Sequence, residues 1–169
     1  SRLDDLAYAM ALEKLFDPTA QLFHIGYDAK NERLTEGLYD LLASEARLLS
    51  YVAIMTQKVP IRHWSRLGRT LIRAEKCVTL LSWSGTMFEY LMPSLIMRAP
   101  IGSVLEQTNR MIVARQISYG HALGIPWGIS ESAYNVRDME FTYQYSNFGV
   151  PGLGLKRGLA EQLSAEGAD

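Results

Sequence analysis

Three glutamates lie among aromatic and hydroxyl residues, a setting suited to acid–base chemistry on a sugar. Glu45 lies in an apolar segment, and Glu89 and Glu131 lie in segments rich in aromatic and hydroxyl residues. Semi-burial disfavours the ionised carboxylate and raises its pKa, as a general acid for a glycosidic oxygen requires near neutral pH. Each glutamate is therefore a catalytic candidate. The alternative, a buried glutamate paired with an arginine, stays open for each of them.

Aromatic and planar polar side chains suited to sugars accompany these glutamates. Aromatic rings offer apolar faces, while amide and guanidinium groups bind hydroxyls. The candidate substrate-binding residues are Trp83, Tyr90, Trp127, Tyr134, Asn135, Tyr143, Tyr145, Asn147 and Arg157. Aromatic stretches are also typical of a protein core, so composition alone indicates a mainly helical domain with a candidate sugar cleft.

Motifs for other chemistries are incomplete. Ser130 lies in Gly-Ile-Ser-Glu-Ser, which lacks the last glycine of a serine-hydrolase elbow. The glycines and lysine of residues 152–158 do not have the spacing of a phosphate loop. The three histidines are far apart and have no neighbours at metal-ligand spacing. We therefore expect no metal and no cofactor.

The composition limits the partners of the chain. Its 169 residues favour one domain, and a net charge of -1 gives no electrostatic reason to expect nucleic acid or an anionic membrane surface as partner. One cysteine allows no internal disulfide. No apolar run reaches the 18 or so residues of a membrane span, and we expect no signal peptide and no membrane contact by this segment.

Apolar periodicity predicts the elements that would hold the glutamates. Leucines and a valine recur at three and four residues from Leu38 to Met55, which predicts a helix with Glu45 inside its apolar stripe. A second helix is predicted from Ser103, with a capping box to Glu106. The chain after Pro126 reads as long loops, followed by a short helix near residues 155–163.

Five segments together resemble a known family. They are LYDLLASEARL at 38–48, HWSRLGR at 63–69, LSWSGTMFEYLMPSL at 81–95, PWGISESAYN at 126–135 and FTYQYSNFGVPGLGLKRGL at 141–159. In this order they resemble the glucoamylase-like domain of cyclic β-1,2-glucan synthases. The resemblance covers nearly the whole chain and fades only at its last residues.

The resemblance implies an all-α fold, an (α/α)6 barrel, and a transglycosylase that closes linear β-1,2-glucan into a ring. A β-linked ring made from a β-linked chain requires net retention, hence a nucleophile and an acid/base. The family's glutamate pair matches Glu45 in SEARL and Glu131 in SES. We interpret Glu45 as the nucleophile and Glu131 as the acid/base, with Glu89 in reserve.

The resemblance also sets the expected context. A full barrel needs on the order of 190 residues, so we expect the chain, a single domain over residues 1–169, to form only part of the barrel and to be a fragment of a larger protein. Family members are large inner-membrane synthases, which implies the cytoplasmic side and the rest of the synthase as partner. Two alternatives stay open: an inverting endo-β-1,2-glucanase, and a non-catalytic glucan-binding or scaffolding helical module.

Overall fold

The computed structural model describes residues 2–74, 77–130, 133–137, 139–141, 143–145 and 149–155. The chain divides into two compact units. Unit 1 comprises Ser1–Leu42 and Ala46–Gly68, and unit 2 comprises Ala43–Glu45 and Arg69–Asp169. The prediction of a single domain stays a prediction.

Unit 1 is built on a small antiparallel sheet with helices. Its helices are α1 (Arg2–Ala9), a 3-10 turn (Leu12–Leu15), α2 (Arg47–Met55) and α3 (Arg62–Arg66). Its strands are β1 (Phe16–Asp17), β2 (Leu22–His24), β3 (Tyr27–Asp28), β4 (Arg33–Leu34) and β5 (Leu38–Tyr39). The sheet has the order β1-β2-β5, and β3 and β4 form a separate hairpin. Asp28 closes this hairpin because its Oδ1 accepts hydrogen bonds from the main chain of Lys30 and Asn31.

The core of unit 1 joins the sheet to α2. Phe23, Ala53 and Val59 are buried, and partly buried apolar residues surround them. His63 is fully buried beside this core, with its ring edge-on to Phe16 and Phe23 at 5.4 and 5.1 Å between centroids. Helix α3, in the HWSRLGR segment, is therefore packed onto the sheet through His63.

Two hydrogen bonds fix the tautomer of His63. Its Nδ1 lies 2.7 Å from the main-chain oxygen of Gln21. A carbonyl only accepts, so Nδ1 carries the proton and Nε2 accepts from Ser50 Oγ at 2.8 Å. Burial lowers the pKa of His63, while the bond to Gln21 partly opposes this. Both Ser50 and His63 are enclosed, so this pair stabilises the fold and does not offer a nucleophile to a substrate.

His63 should make stability depend on pH. Because its pKa is lower in the folded than in the unfolded protein, stability is full above about pH 6.5 and falls as the pH drops toward the folded pKa, by at most about 1.4 kcal/mol per pH unit. Urea unfolding between pH 8 and pH 5 should show this loss. His63→Gln, which does not titrate, should remove it, whereas His121→Gln at an exposed site should not. An unchanged slope in His63→Gln would refute the assignment.

Unit 2 contains the longest helix of the described residues. Its helices are α4 (Met87–Leu91), a 3-10 turn (Met92–Leu95) and α5 (Val104–Leu123). Its strands are β6 (Leu71–Ala74), β7 (Cys77–Leu80), β8 (Ala133–Arg137) and β9 (Tyr143–Tyr145). The pairs β6–β7 and β8–β9 are antiparallel. Helix α5 packs against β7 and α4. The predicted helix from Ser103 is confirmed, since the Ser103 hydroxyl accepts from the Glu106 N–H.

The prediction of an all-α (α/α)6 barrel, whole or partial, is wrong. The described residues form a mixed α/β structure with short antiparallel sheets between the helices. The prediction of one helix from Leu38 to Met55 is wrong in its first half. Leu38–Tyr39 pair with β2, and Leu41 forms a bridge with Gly68, so long-range pairing takes the main-chain groups that a helix would use.

The later part of the chain differs from the prediction as well. Two strands, β8 and β9, lie where long loops were predicted. The predicted short helix near 155–163 lies almost entirely outside the described residues. Among the residues described, no helix is both long enough and apolar enough to cross a membrane.

Candidate functional site

Glu89 organises a tight turn before helix α4, here called the carboxylate turn (residues 82–86). Its carboxylate accepts hydrogen bonds from the main-chain N–H groups of Trp83, Ser84 and Thr86 at 3.0 to 3.1 Å. The hydroxyls of Ser82, Ser84 and Thr86 donate to it at 2.7 to 3.1 Å. Thr86 Oγ1 in turn accepts from the Glu89 N–H, which completes a capping box.

These contacts bear on the chemistry open to Glu89. The residue is only 4% exposed, and both of its carboxylate oxygens already accept several hydrogen bonds. Leaving these buried donors without their acceptor would cost free energy of folding. The geometry therefore favours a structural role for the reserve candidate over direct contact with a sugar.

A glycine-rich loop, residues 149–155, packs onto the carboxylate turn. Ser82 and Gly154 form a parallel bridge, and the Ser82 N–H donates to the oxygen of Leu153 at 3.1 Å. A Cβ on Gly154 would lie 2.5 Å from the carbonyl carbon of Ser84, and one on Gly149 would overlap the Ser84 oxygen. The two loops approach so closely because these positions carry no side chain.

Gln116 joins the carboxylate turn to the segment that precedes Glu131. Its Oε1 accepts from the N–H of Ile129 at 2.8 Å, and its Nε2 donates to the oxygens of Ile129 and Gly85 at 3.3 and 3.4 Å. The oxygen of Ile129 also accepts from the N–H of Met87 at 2.9 Å. Gln116 is 1% exposed, and its hydrogen bond to Gly85 is buried, while its two hydrogen bonds to Ile129 are partly buried.

Glu45 lies in a turn and not on a helix face. Residues 45 and 46 form this turn, and α2 begins at Arg47. The side chain of Glu45 is half-buried, and the Ser44 hydroxyl donates to its Oε2 at 3.2 Å. The hydroxyl of Ser44 thus helps to orient the carboxylate of Glu45.

The aromatic candidates differ in exposure. Trp127 is 48% exposed, while Trp83 is half-buried, and its indole Nε1 is buried without a hydrogen-bond partner among the described residues. Tyr90 is 1% exposed, and its hydroxyl donates to the main-chain oxygens of Leu80 and Leu153. Burial raises the pKa of Tyr90 well above its ordinary value. The ring of Tyr90 is therefore enclosed in the core and is not exposed to a sugar.

The remaining candidates lie late in the chain. Tyr134 and Asn135 belong to β8, and Tyr143 and Tyr145 belong to the paired strand β9. The backbone thus brings these two segments together. Glu131, Asn147 and Arg157 lie outside the described residues. Within the described residues, no group of three His, Cys, Asp or Glu side chains could hold a metal ion.

Sequence reasoning missed Gln116 and the partners of Glu89. The Thr86-Met-Phe-Glu89 pattern is a capping-box signal and could have indicated a structural role for Glu89. Gln116 stands on the buried stripe of α5 with Thr108, Ile112 and Gly120, at intervals of four residues. A polar residue in such a stripe indicates a specific buried hydrogen-bond partner.

Comparison with known proteins gives one informative similarity. No protein-family model matches the chain. The chain is 52% identical over 160 residues to "Cyclic beta-(1,2)-glucan synthase NdvB" of Rhizobium meliloti (strain 1021). The aligned region is 95% of this chain and 6% of that synthase, so the chain spans a small part of its relative. The resemblance to cyclic β-1,2-glucan synthases is confirmed, and its refinement to a glucoamylase-like domain stays a prediction. Over almost its whole length, the chain is similar to one segment of a cyclic β-1,2-glucan synthase.

Proposed function

We propose that this chain forms part of a retaining transglycosylase that closes linear β-1,2-glucan into a ring. The observation that carries this proposal is the 52% identity to a segment of a cyclic β-(1,2)-glucan synthase. The exposure of two candidates supports it, since Glu45 is half-buried and Trp127 is 48% exposed.

In the proposed reaction, Glu45 attacks the anomeric carbon of a glucosyl unit while the glycosidic bond breaks. Glu131 donates a proton to the leaving oxygen, directly or through a sugar hydroxyl, and a glycosyl ester on Glu45 results. The 2-hydroxyl at the other end of the same chain then attacks this carbon. Glu131 takes up the proton, Glu45 leaves as a carboxylate, and two inversions give net retention.

The other candidates receive proposed roles as well. The aromatic and amide residues on β8 and β9, together with Asn147 and Arg157, are proposed to bind the glucan beside the glutamate pair. Glu89 is proposed to hold the carboxylate turn that carries Trp83. We further propose that the chain acts as part of a larger synthase, on the cytoplasmic side of a bacterial inner membrane.

The proposal is tested by incubating the intact protein with linear β-1,2-glucan and analysing the products by mass spectrometry. A ring is lighter than the linear chain of the same length by one water, and this product is expected. Linear fragments alone would favour an inverting endo-β-1,2-glucanase. Binding without turnover would favour a non-catalytic glucan-binding module. Linear β-1,3-glucan serves as the matched control and should remain unchanged.

A further inference from the structure

We propose that Gln116 is a positioning residue that fixes the segment leading to Glu131 against the carboxylate turn. This inference rests on the proposed function for its catalytic consequence. Its structural part stands on the hydrogen bonds of Gln116 to Ile129 and Gly85.

The hydrogen bonds around Gln116 determine the orientation of its amide. The Ile129 N–H can only donate, so the atom facing it at 2.8 Å must be the acceptor Oε1. The amide nitrogen then faces the oxygens of Ile129 and Gly85, which can only accept. Gln116 therefore holds both main-chain groups of Ile129 and also the carboxylate turn. We call these three hydrogen bonds the Gln116 clamp.

The helix that carries Gln116 packs against neighbouring segments on the same face. Gln116 lies near the middle of the buried stripe of α5. At one end of this stripe, Thr108 Oγ1 accepts from the N–H of Leu80 in β7. At the other end, a Cβ on Gly120 would lie 2.9 Å from the Cα of Trp127. One face of α5 thus contacts the strand before the carboxylate turn, the turn itself and the segment that carries Trp127.

The clamp fixes the main chain two residues before Glu131. A catalytic carboxylate must be held close to its productive geometry, and a misplacement of about 1 Å can cost on the order of a hundredfold in rate. Oxygen and nitrogen of Ile129 are bound to α4 and α5, through Met87 and Gln116. The main chain is therefore held at Ile129, two residues before Glu131 in the sequence. Gln116 acts through this main chain and need not touch the substrate.

Two variants in the intact protein separate positioning from general stability. Gln116→Met keeps the length of the side chain and removes all three hydrogen bonds. Gln116→Glu can restore one donor and one acceptor of the amide only when protonated, because the ionised carboxylate has no proton to donate. Gln107→Met, at an exposed glutamine of the same helix, is the matched control.

The first measurement is hydrogen exchange at the Ile129 amide. Gln116→Met should accelerate it by about tenfold or more, because the amide loses its acceptor, and Gln107→Met should leave it unchanged. Unchanged exchange in Gln116→Met would overturn the clamp. Hydrogen exchange can be measured without activity. A wild-type protein that does not turn over glucan would refute the proposed function, and the exchange rate of the Ile129 amide would still test the clamp.

The second measurement is the kinetics of glucan turnover. Gln116→Met should lower kcat by about tenfold to a hundredfold with little change in KM. Gln116→Glu should retain more of the wild-type kcat at acid pH than at alkaline pH, whereas Gln116→Met should show the same loss throughout. A kcat equal to wild type in Gln116→Met, or the same pH profile in both variants, would overturn the positioning role.

Discussion

Replacing Glu45 with glutamine in the intact protein should lower glucan turnover by several orders of magnitude while folding changes little. Glutamine keeps the shape of the side chain and can still accept a hydrogen bond from Ser44. It cannot act as a nucleophile, and loss of a nucleophile removes the covalent route. Initial rates on linear β-1,2-glucan and a thermal melt measure the two effects. Glu36→Gln, at an exposed glutamate, is the control and should keep full activity.

A small external nucleophile distinguishes the roles of the two glutamates. In Glu45→Ala, azide should enter the vacated space and give an α-linked glucosyl azide by a single inversion, if Glu45 is the nucleophile. If Glu45 is the acid/base, azide should instead attack a glycosyl-enzyme and give the β-linked product. An active Glu45→Gln protein, or a β-linked azide product, would refute the nucleophile assignment.

Glu89→Ala should have the largest effect on stability, about 3–5 kcal/mol. The change leaves the buried N–H groups and hydroxyls of the carboxylate turn without their shared acceptor. Glu89→Gln keeps one acceptor oxygen and should lose about half as much. Urea unfolding measures both values.

Glu106→Ala provides the matched comparison for Glu89. Both glutamates lie three residues after a Ser or Thr that caps a helix. Glu106 instead pairs with Arg110, whose side chain is 70% exposed, and such a pair on one helix face is worth about 0.5 kcal/mol. Equal losses in the two alanine variants would show that Glu89 has no structural role beyond an ordinary cap.

The parts of the fold that are determined by residues close together in the sequence could be predicted. Ser103 caps helix α5, which begins at Val104 as the capping signal indicated, and Gly124 ends it in the left-handed conformation that glycine adopts readily. Helix α2 could not be placed in the same way. The leucines from Leu38 onward fit a helix by their spacing, but Leu38–Tyr39 pair with a strand more than ten residues earlier. Such long-range pairing does not show in local periodicity.

Residue type and sequence neighbours made Glu45, Glu89 and Trp127 candidates for the site, and their part in it stays a prediction. The role of Glu89 became clear only from its contacts, which extend over the turn from Ser82. The polar side chain of Gln116 in a buried stripe indicates a hydrogen-bond partner, but the local sequence does not identify this partner, because Ile129 follows thirteen residues later, beyond the end of the helix. The barrel was predicted from the family resemblance, and the short paired strands of the described residues contradict this prediction.

A structure of the intact protein with a bound β-1,2-glucan oligosaccharide would test the central claim most directly. The account predicts the carboxylate of Glu45 about 3–3.5 Å from an anomeric carbon. It also predicts that the carboxyl groups of Glu45 and Glu131 lie about 5–5.5 Å apart, as in retaining enzymes. A glucan bound away from Glu45, or carboxyl groups separated by roughly 6.5–9.5 Å with a water between them, would contradict the retaining transglycosylase.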